Sequence, residues 1–355
     1  MKTITDTKYV KKIATLIILL SSFSLLSQED DAKTTKIELN GSIDAYYRAN
    51  IDADNSFNET TGRPNAAPGS SFANLPGFSL GMANIIGSYK GEKVGFVADL
   101  VFGPRGTDAI FNSPLYSATG NIVNQLYVYW NVSRSIKLTF GNFNTFMGYE
   151  VISPVGNFNY STSYLFSYGP FSHTGIKMDI GITDELGLIL AVMNPTDQTE
   201  LNPGGKYAFG AQLGYKGQYL NLILDAGAVE IDLTGGIDLS DKLYMGANAA
   251  YYGHDDLGFA GIALYPRYRA SEYFTVGLRG EYFMEIGNFG AIGTGLEDSD
   301  VLAITLTGSA QLGGLTLKPE LRLDSASDRS QNFLDRDLLP QKKLSSFVLA
   351  AIYAF

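Results

Sequence analysis

The sequence predicts an all-β fold, a transmembrane antiparallel β-barrel of about sixteen strands, and three observations carry that prediction. Polarity alternates with period two through segments of about ten residues along most of the chain. Very short turns and longer polar loops join these segments in alternation. The final stretch, Ser345 to Phe355, reads S-S-F-V-L-A-A-I-Y-A-F, and Phe347, Leu349, Ala351, Tyr353 and Phe355 share one apolar face. A strand sends alternate side chains to opposite sides, so that face suits lipid. A membrane barrel needs its last strand to pair with its first, because hydrocarbon tolerates no open sheet edge.

Composition narrows the class. The chain is 17% charged and 45% hydrophobic, too apolar for a disordered acidic chain. Gly 39, Tyr 22 and Phe 21 against Trp 1 suit strands and aromatic girdles. Cysteine is absent, which removes disulfides and thiolate chemistry, and His173 and His254 are the only histidines. Residues 1–27 read as a signal peptide: Lys2, Lys8, Lys11 and Lys12 precede an apolar run from Ile13 to Leu26, with cleavage expected after Ser27. Residues 28–355 are then one outer-membrane barrel domain. Losing that segment takes the formal net charge from −10 to about −13, which argues against a nucleic-acid partner. Beyond the signal no uninterrupted apolar run reaches about eighteen residues, so spanning must rest on strands.

The strands follow in order. Ile37 to Asn50 sets Ile37, Leu39, Ile43, Ala45 and Tyr47 against Glu38, Asn40, Ser42, Asp44, Tyr46 and Arg48. A long loop of Asn, Gly, Pro and Asp leads to Phe78 to Tyr89, and Lys90-Gly91-Glu92-Lys93 turns into Val94 to Phe102. Then come Ile122 to Val132 with Ile136 to Phe143, His173 to Ile182 with Leu186 to Asn194, and Lys206 to Tyr215 with Tyr219 to Ala226. Ile231 to Leu239 pairs with Leu243 to Tyr252, Phe259 to Arg269 with Tyr273 to Phe283, and Val301 to Gln311 with Leu315 to Asp324, before the closing strand. Fourteen or eighteen strands stay open, because Ala226 to Ile231 carries little loop signal. An even count puts both ends and the short turns in the periplasm and the long loops outside.

Several of these residues form a pattern. Asp44-Ala45-Tyr46-Tyr47, Gly141 before Phe143, Gly148-Tyr149-Glu150, Asn159-Tyr160-Ser161, Phe166, Pro170 and His173-Thr174-Gly175 resemble the beta-barrel porin family described as OmpL-like. The likeness spans most of the chain and concentrates between Gly141 and Gly175. It implies an outer-membrane porin of Gram-negative bacteria. Thr162 stands where the pattern implies Arg, which removes a basic residue expected in a constriction loop. Pro195 stands where Gly is implied and would stiffen the start of a loop.

A porin works through the shape and charge of its lumen. Arg267 and Arg269 oppose Ile262 and Leu264 on their strand. Arg279 and Glu281 oppose Phe274, Val276 and Leu278, while Lys318, Glu320, Arg322 and Asp324 share one face of theirs. Arg or Lys on the lipid face would cost about 2–4 kcal/mol at mid-depth, so all eight are expected inside as pore-lining residues. Two readings stand: a basic wall facing acidic loop residues, or mutually paired charges that rigidify a wet interior. The segment Asn144 to Ser172 is far too aromatic for a watery connection and is expected to fold inward, with Tyr149, Glu150, Tyr160, Tyr164 and Phe166 as its key residues and His173 as a hydrogen-bonding post. The alternative is a cap on a neighbouring subunit. Phe355 would sit at the inner rim; by resemblance to outer-membrane porins, the barrel-assembly machinery reads that terminal aromatic residue.

Enzymatic chemistry finds little support. His254-Asp255-Asp256 offers a base beside carboxylates, yet no Gly-x-Ser-x-Gly precedes a helix and no serine stands out as a nucleophile. Asp52 and Asp54 could present oxygens to calcium but lack the spaced ligands and glycine of an EF-hand loop. No cofactor or metal is expected. The expected function is passive diffusion of small hydrophilic solutes through a charged, loop-constricted lumen in the bacterial outer membrane. The alternative is a non-transport barrel, either a surface receptor or adhesin or a lipid-modifying enzyme. Outer-membrane lipid surrounds it, and a homotrimer is common for barrels of this size.

Overall fold

Period-two alternation becomes a closed ring of strands in the computed structural model, which describes residues 36–110, 122–200, 202, 204–293, 295–327 and 333–355. The expected signal peptide lies outside the described residues. The first half of the ring is β1 (Ile37–Asn50), β2 (Gly77–Lys90), β3 (Val94–Phe102), β4 (Val123–Asn131), β5 (Ile136–Asn144), β6 (Ser172–Gly181), β7 (Leu186–Met193) and β8 (Ala208–Tyr215). It continues through β9 (Gln218–Asp225), β10 (Ala228–Asp238), β11 (Leu243–His254), β12 (Leu257–Arg269), β13 (Phe274–Ile286), β14 (Asp300–Leu312) and β15 (Leu315–Ala326). A two-stranded ribbon, β16 (Phe333–Leu334) with β17 (Pro340–Gln341), lies in the last loop before the closing strand β18 (Lys343–Ala354).

Each barrel strand pairs antiparallel with its neighbours, and β18 pairs with both β15 and β1, from Ser42↔Ala354 to Asn50↔Ser346. The ring therefore has sixteen strands and no free edge, as the alternation predicted. Parity follows the expected faces. Leu302, Ile304 and Leu306 point outward from β14 at 42–46% exposure, while Val301, Ala303, Thr305 and Thr307 are buried inside. On β18, Leu349 and Tyr353 face out and Ser346, Val348, Ala350 and Ile352 face in.

Loop lengths separate less cleanly than the sequence suggested. Two connections at the long-loop end contain only two residues, Ala226–Gly227 and Asp255–Asp256. Positive φ at Ala226 (50°), Gly227 (107°) and Asp255 (53°) makes these tight hairpins, so β10 starts at Ala228 rather than at Ile231 and β12 at Leu257 rather than at Phe259. That explains the missing loop signal after Ala226. Among the described residues two short helices interrupt the β pattern: α1 (Pro104–Ala109), opened by a proline within its first turn, and α2 (Tyr164–Tyr168), where the Ser163 side chain caps the Phe166 N–H. The largest buried apolar cluster joins Tyr164 and Leu165 to Phe259, Tyr265, Phe283 and Val301, so the core lies inside the ring between loop and wall.

Candidate functional site

The connection from β5 to β6 leaves the sheet after Asn144 and packs inside the ring. Its backbone has no neighbouring strand, so each buried N–H and C=O needs a partner from the wall. Carboxylates supply the acceptors. Glu281 accepts the Tyr164 and Leu165 N–H groups at 3.0 and 2.8 Å. Glu320 accepts those of Tyr160 and Ser161 at 2.9 and 3.2 Å. Cations supply the donors. Arg279 donates to Glu150 at 2.7 Å and to the Ser161 carbonyl at 2.6 Å, and Lys318 donates to the carbonyls of Pro154 and Asn157. Arg322 grips Asp324 through two 2.8 Å bonds and donates to the Thr162 carbonyl and the Ser70 hydroxyl.

The eight charges expected along the pore thus divide. Arg279, Glu281, Lys318, Glu320, Arg322 and Asp324 are buried, at no more than 4% exposure, beneath the loop rather than open to a water column. Arg279 pairs with Glu150 and Arg322 with Asp324, while Glu281, Glu320 and Lys318 bind the loop backbone. The physical reason is that an irregular loop inside a barrel uses up the wall's hydrogen-bonding capacity. Arg267 is half-buried: it donates to the Tyr149 hydroxyl at 2.5 Å, and its guanidinium lies over the rings of Tyr244, Phe158 and Tyr149 at 4.9–5.7 Å. Arg269 is exposed at the short-turn end, beside a cavity of about 280 Å³ that Lys242 and Asp241 also line.

Among the loop residues, Tyr149 stacks on Tyr265 at 4.1 Å and Phe166 on Phe171 at 4.9 Å. Tyr160 and Tyr164 are wholly buried. The Tyr164 hydroxyl accepts the Gly69 N–H at 3.3 Å, and its ring lies 5.5 Å from the Arg322 guanidinium. His173 is buried, shares a 2.9 Å hydrogen bond with Thr145 at the start of the loop, and lies 5.4 Å from the Phe146 ring. Phe355 exchanges both backbone hydrogen bonds with Gly41 at 3.0 Å, and its ring is exposed at the rim.

Other anchors escaped the sequence reading. Asp44 on β1 accepts the Tyr160 hydroxyl and the Met82 N–H, and Gly81 permits this approach: a Cβ there would stand 1.6 Å from Asp44 Oδ2. Arg105 on α1 donates to the Ile152 and Tyr160 carbonyls and lies over the Phe72 and Tyr160 rings. Asp232 on β10 accepts the Gly148 N–H at 3.0 Å and the side-chain amides of Asn221 and Asn248. Asp44 was legible, since it shares the inward parity of Arg48; Arg105 was not, because a loop arginine reads as solvated. Asp52 accepts from Ser345, and Asp54 from Ser56 and Asn65.

A cavity of about 910 Å³ opens at the short-turn end between β4 and β9, lined in part by Lys137, Asp179, Tyr219 and Gln212, which also donates to the Phe146 carbonyl of the loop. Lys137 and Lys177 approach Asp179 at 3.7 and 3.4 Å. A charged space beside a packed inner loop can sort solutes by size and charge.

A family model described as "Putative beta-barrel porin-2, OmpL-like" matches residues 36–355. Among solved structures, the fold is similar to the outer membrane channel DcaP of Acinetobacter baumannii, at a TM-score of 0.58 and 11% identity over 92% of this chain and 99% of that one. It is also similar to the anion-selective porin from Comamonas acidovorans, at 0.56 and 13% over 90% and 99%. The trimer form of OmpT from Vibrio cholerae matches at 0.54 and 11% over 90% and 99%. No curated protein matches the sequence.

Proposed function

The chain belongs to the OmpL-like family of beta-barrel porins of the bacterial outer membrane, and we propose that it passes small hydrophilic solutes passively along the wall its inner loop leaves open. The observation that carries this reading is the asymmetry of the interior. The loop's charged anchors sit on β13 and β15 with Asp44 on β1, its further contacts reach Gln212 on β8 and Asp232 on β10, and the 910 Å³ space at the short-turn end borders β4 to β9. In this reading Arg279, Glu281, Lys318, Glu320, Arg322 and Asp324 position the loop, and the loop sets the bore. Selectivity rests with the groups left facing water, Lys137 and Asp179 among them. Passage needs no catalytic group, and the chemistry around the loop is that of a fixed partition.

We propose a homotrimer as the assembly; the trimeric form of the Vibrio cholerae OmpT supports it. An apolar groove of about 510 Å³ on the outer face, between Phe96, Trp130 and Phe140, offers a surface for a second copy.

Planar-bilayer recording tests the pore. The purified protein should conduct, and deletion of Ser161 to Phe171 should raise single-channel conductance. A closed barrel without current would instead favour a receptor or enzyme, and unchanged conductance after the deletion would remove the loop from the bore.

A further inference from the structure

At the long-loop end a second cavity, of about 350 Å³, opens where the inner loop leaves α2, beside the loop after β7 and the tight turn after β9. Three carboxylates line it: Asp197, Asp225 and Glu230. Two are partly engaged. Asp197 Oδ1 accepts the N–H groups of Phe171 and Ser172 at 2.8 and 2.9 Å, and Asp225 Oδ2 accepts that of Thr196 at 2.7 Å. The other Asp225 oxygen is buried without a partner. Glu230 is 7% exposed, lines the cavity, and makes no hydrogen bond among the described residues. No lysine or arginine is among the described residues lining this space.

A carboxylate withdrawn from water and left unpaired is costly, so a group placed like Glu230 calls for a cation. The remaining walls indicate which kind. Tyr168, Tyr252 and Phe289 also line the cavity, with the Phe289 ring 5.8 Å from each tyrosine ring. A bare divalent ion needs a tight cage of oxygens at about 2.3–2.6 Å, and no group of three or more acidic or histidine side chains among the described residues could hold a metal ion. Aromatic faces beside carboxylates in a space large enough for a small molecule are the chemistry of an organic ammonium ion.

We propose that this cavity binds the ammonium group of small organic cations, with Glu230, Asp225 and Asp197 matching its charge and Tyr168, Tyr252 and Phe289 covering its carbon face. The inference deepens the porin reading and rests on it for its physiological sense: amine solutes would gather at the long-loop mouth before crossing.

Isothermal titration of the detergent-purified full chain with tetramethylammonium chloride tests the site, with sodium chloride as ionic-strength control and neopentyl alcohol as the uncharged isostere. Saturable binding of tetramethylammonium is expected, weakened about tenfold or more in Glu230→Gln and in Asp225→Asn, with neopentyl alcohol binding far less. Absence of saturable binding, equal binding of the alcohol, or unchanged affinity in both variants overturns the proposal. Asp225→Asn decides the matter should Glu230→Gln fail to form a barrel. Bilayer conductance in potassium chloride separates the two claims: binding without conductance removes the porin reading alone, and conductance without binding removes this inference alone.

Discussion

Arg279 on β13 and Glu150 on the inner loop meet at 2.7 Å with side chains 0% and 4% exposed, an ion pair closed between partition and wall. Arg279 also holds Ser161 and Thr305. Breaking one side of such a pair strands a buried charge. Arg279→Met should lower barrel stability by about 3–5 kcal/mol and make single-channel current noisier, whereas Arg279→Met with Glu150→Gln should recover much of that loss. Guanidinium unfolding of the micelle-bound protein reads the stability. A double variant no better than the single one would mean the pair does not hold the loop.

Asp197 gives the end of the loop a pH dependence. Burial pushes its carboxyl up to about 6, against an ordinary 3.8, while it accepts the Phe171 and Ser172 N–H groups. A carboxyl whose folded pKa is raised disfavours the folded form when ionised. Protection of this segment should therefore rise as pH falls through about 6 and level off below the unfolded value near 3.8. Asp225, Glu230 and His254 face the same space, so the comparison must be with Asp197→Asn. Hydrogen exchange of residues 171–172 at pH 7.5 and 5, corrected for intrinsic rates, should show the difference in the native chain and lose it in that variant.

Gly81 stands where β2 meets Asp44. A methyl group placed 1.6 Å from Asp44 Oδ2 must displace the carboxylate from Met82 and Tyr160. Gly81→Ala should destabilise by about 1–3 kcal/mol, and adding Asp44→Ala should relieve part of the strain. Temperature-resolved gel mobility of the folded barrel measures both, and a neutral Gly81→Ala would show that Asp44 is not needed where it lies.

Phe355 closes the ring beside Gly41 through two backbone bonds at 3.0 Å, with its ring turned outward. Deleting it should lower the yield of folded protein in isolated outer membranes while leaving the conductance of the folded fraction unchanged. Normal yield would remove its role in assembly.

What the amino-acid order determined by itself is the barrel. Period-two alternation is a local property: once Leu302, Ile304 and Leu306 must meet lipid, Thr305 and Thr307 face inward whatever lies across the lumen. The closing pair and the inward parity of Arg279, Glu281, Lys318, Glu320, Arg322 and Asp324 follow from that local rule, whereas the count of sixteen waited on the tight hairpin at Ala226–Gly227. Even the aromatic excess of residues 144–172 announced a loop that water could not keep. Tertiary structure alone decided what those inward charges meet. Glu150 lies 129 residues from Arg279, and Tyr160 lies 160 from Glu320, separations over which periodicity carries no information. Parity therefore placed the charges inside the barrel, but only the folded loop turned them from a pore lining into its anchors and left Lys137 and Asp179 facing the open space. The same contacts drew Arg105 out of an apparently solvated loop, because buried carbonyls at Ile152 and Tyr160 needed a donor.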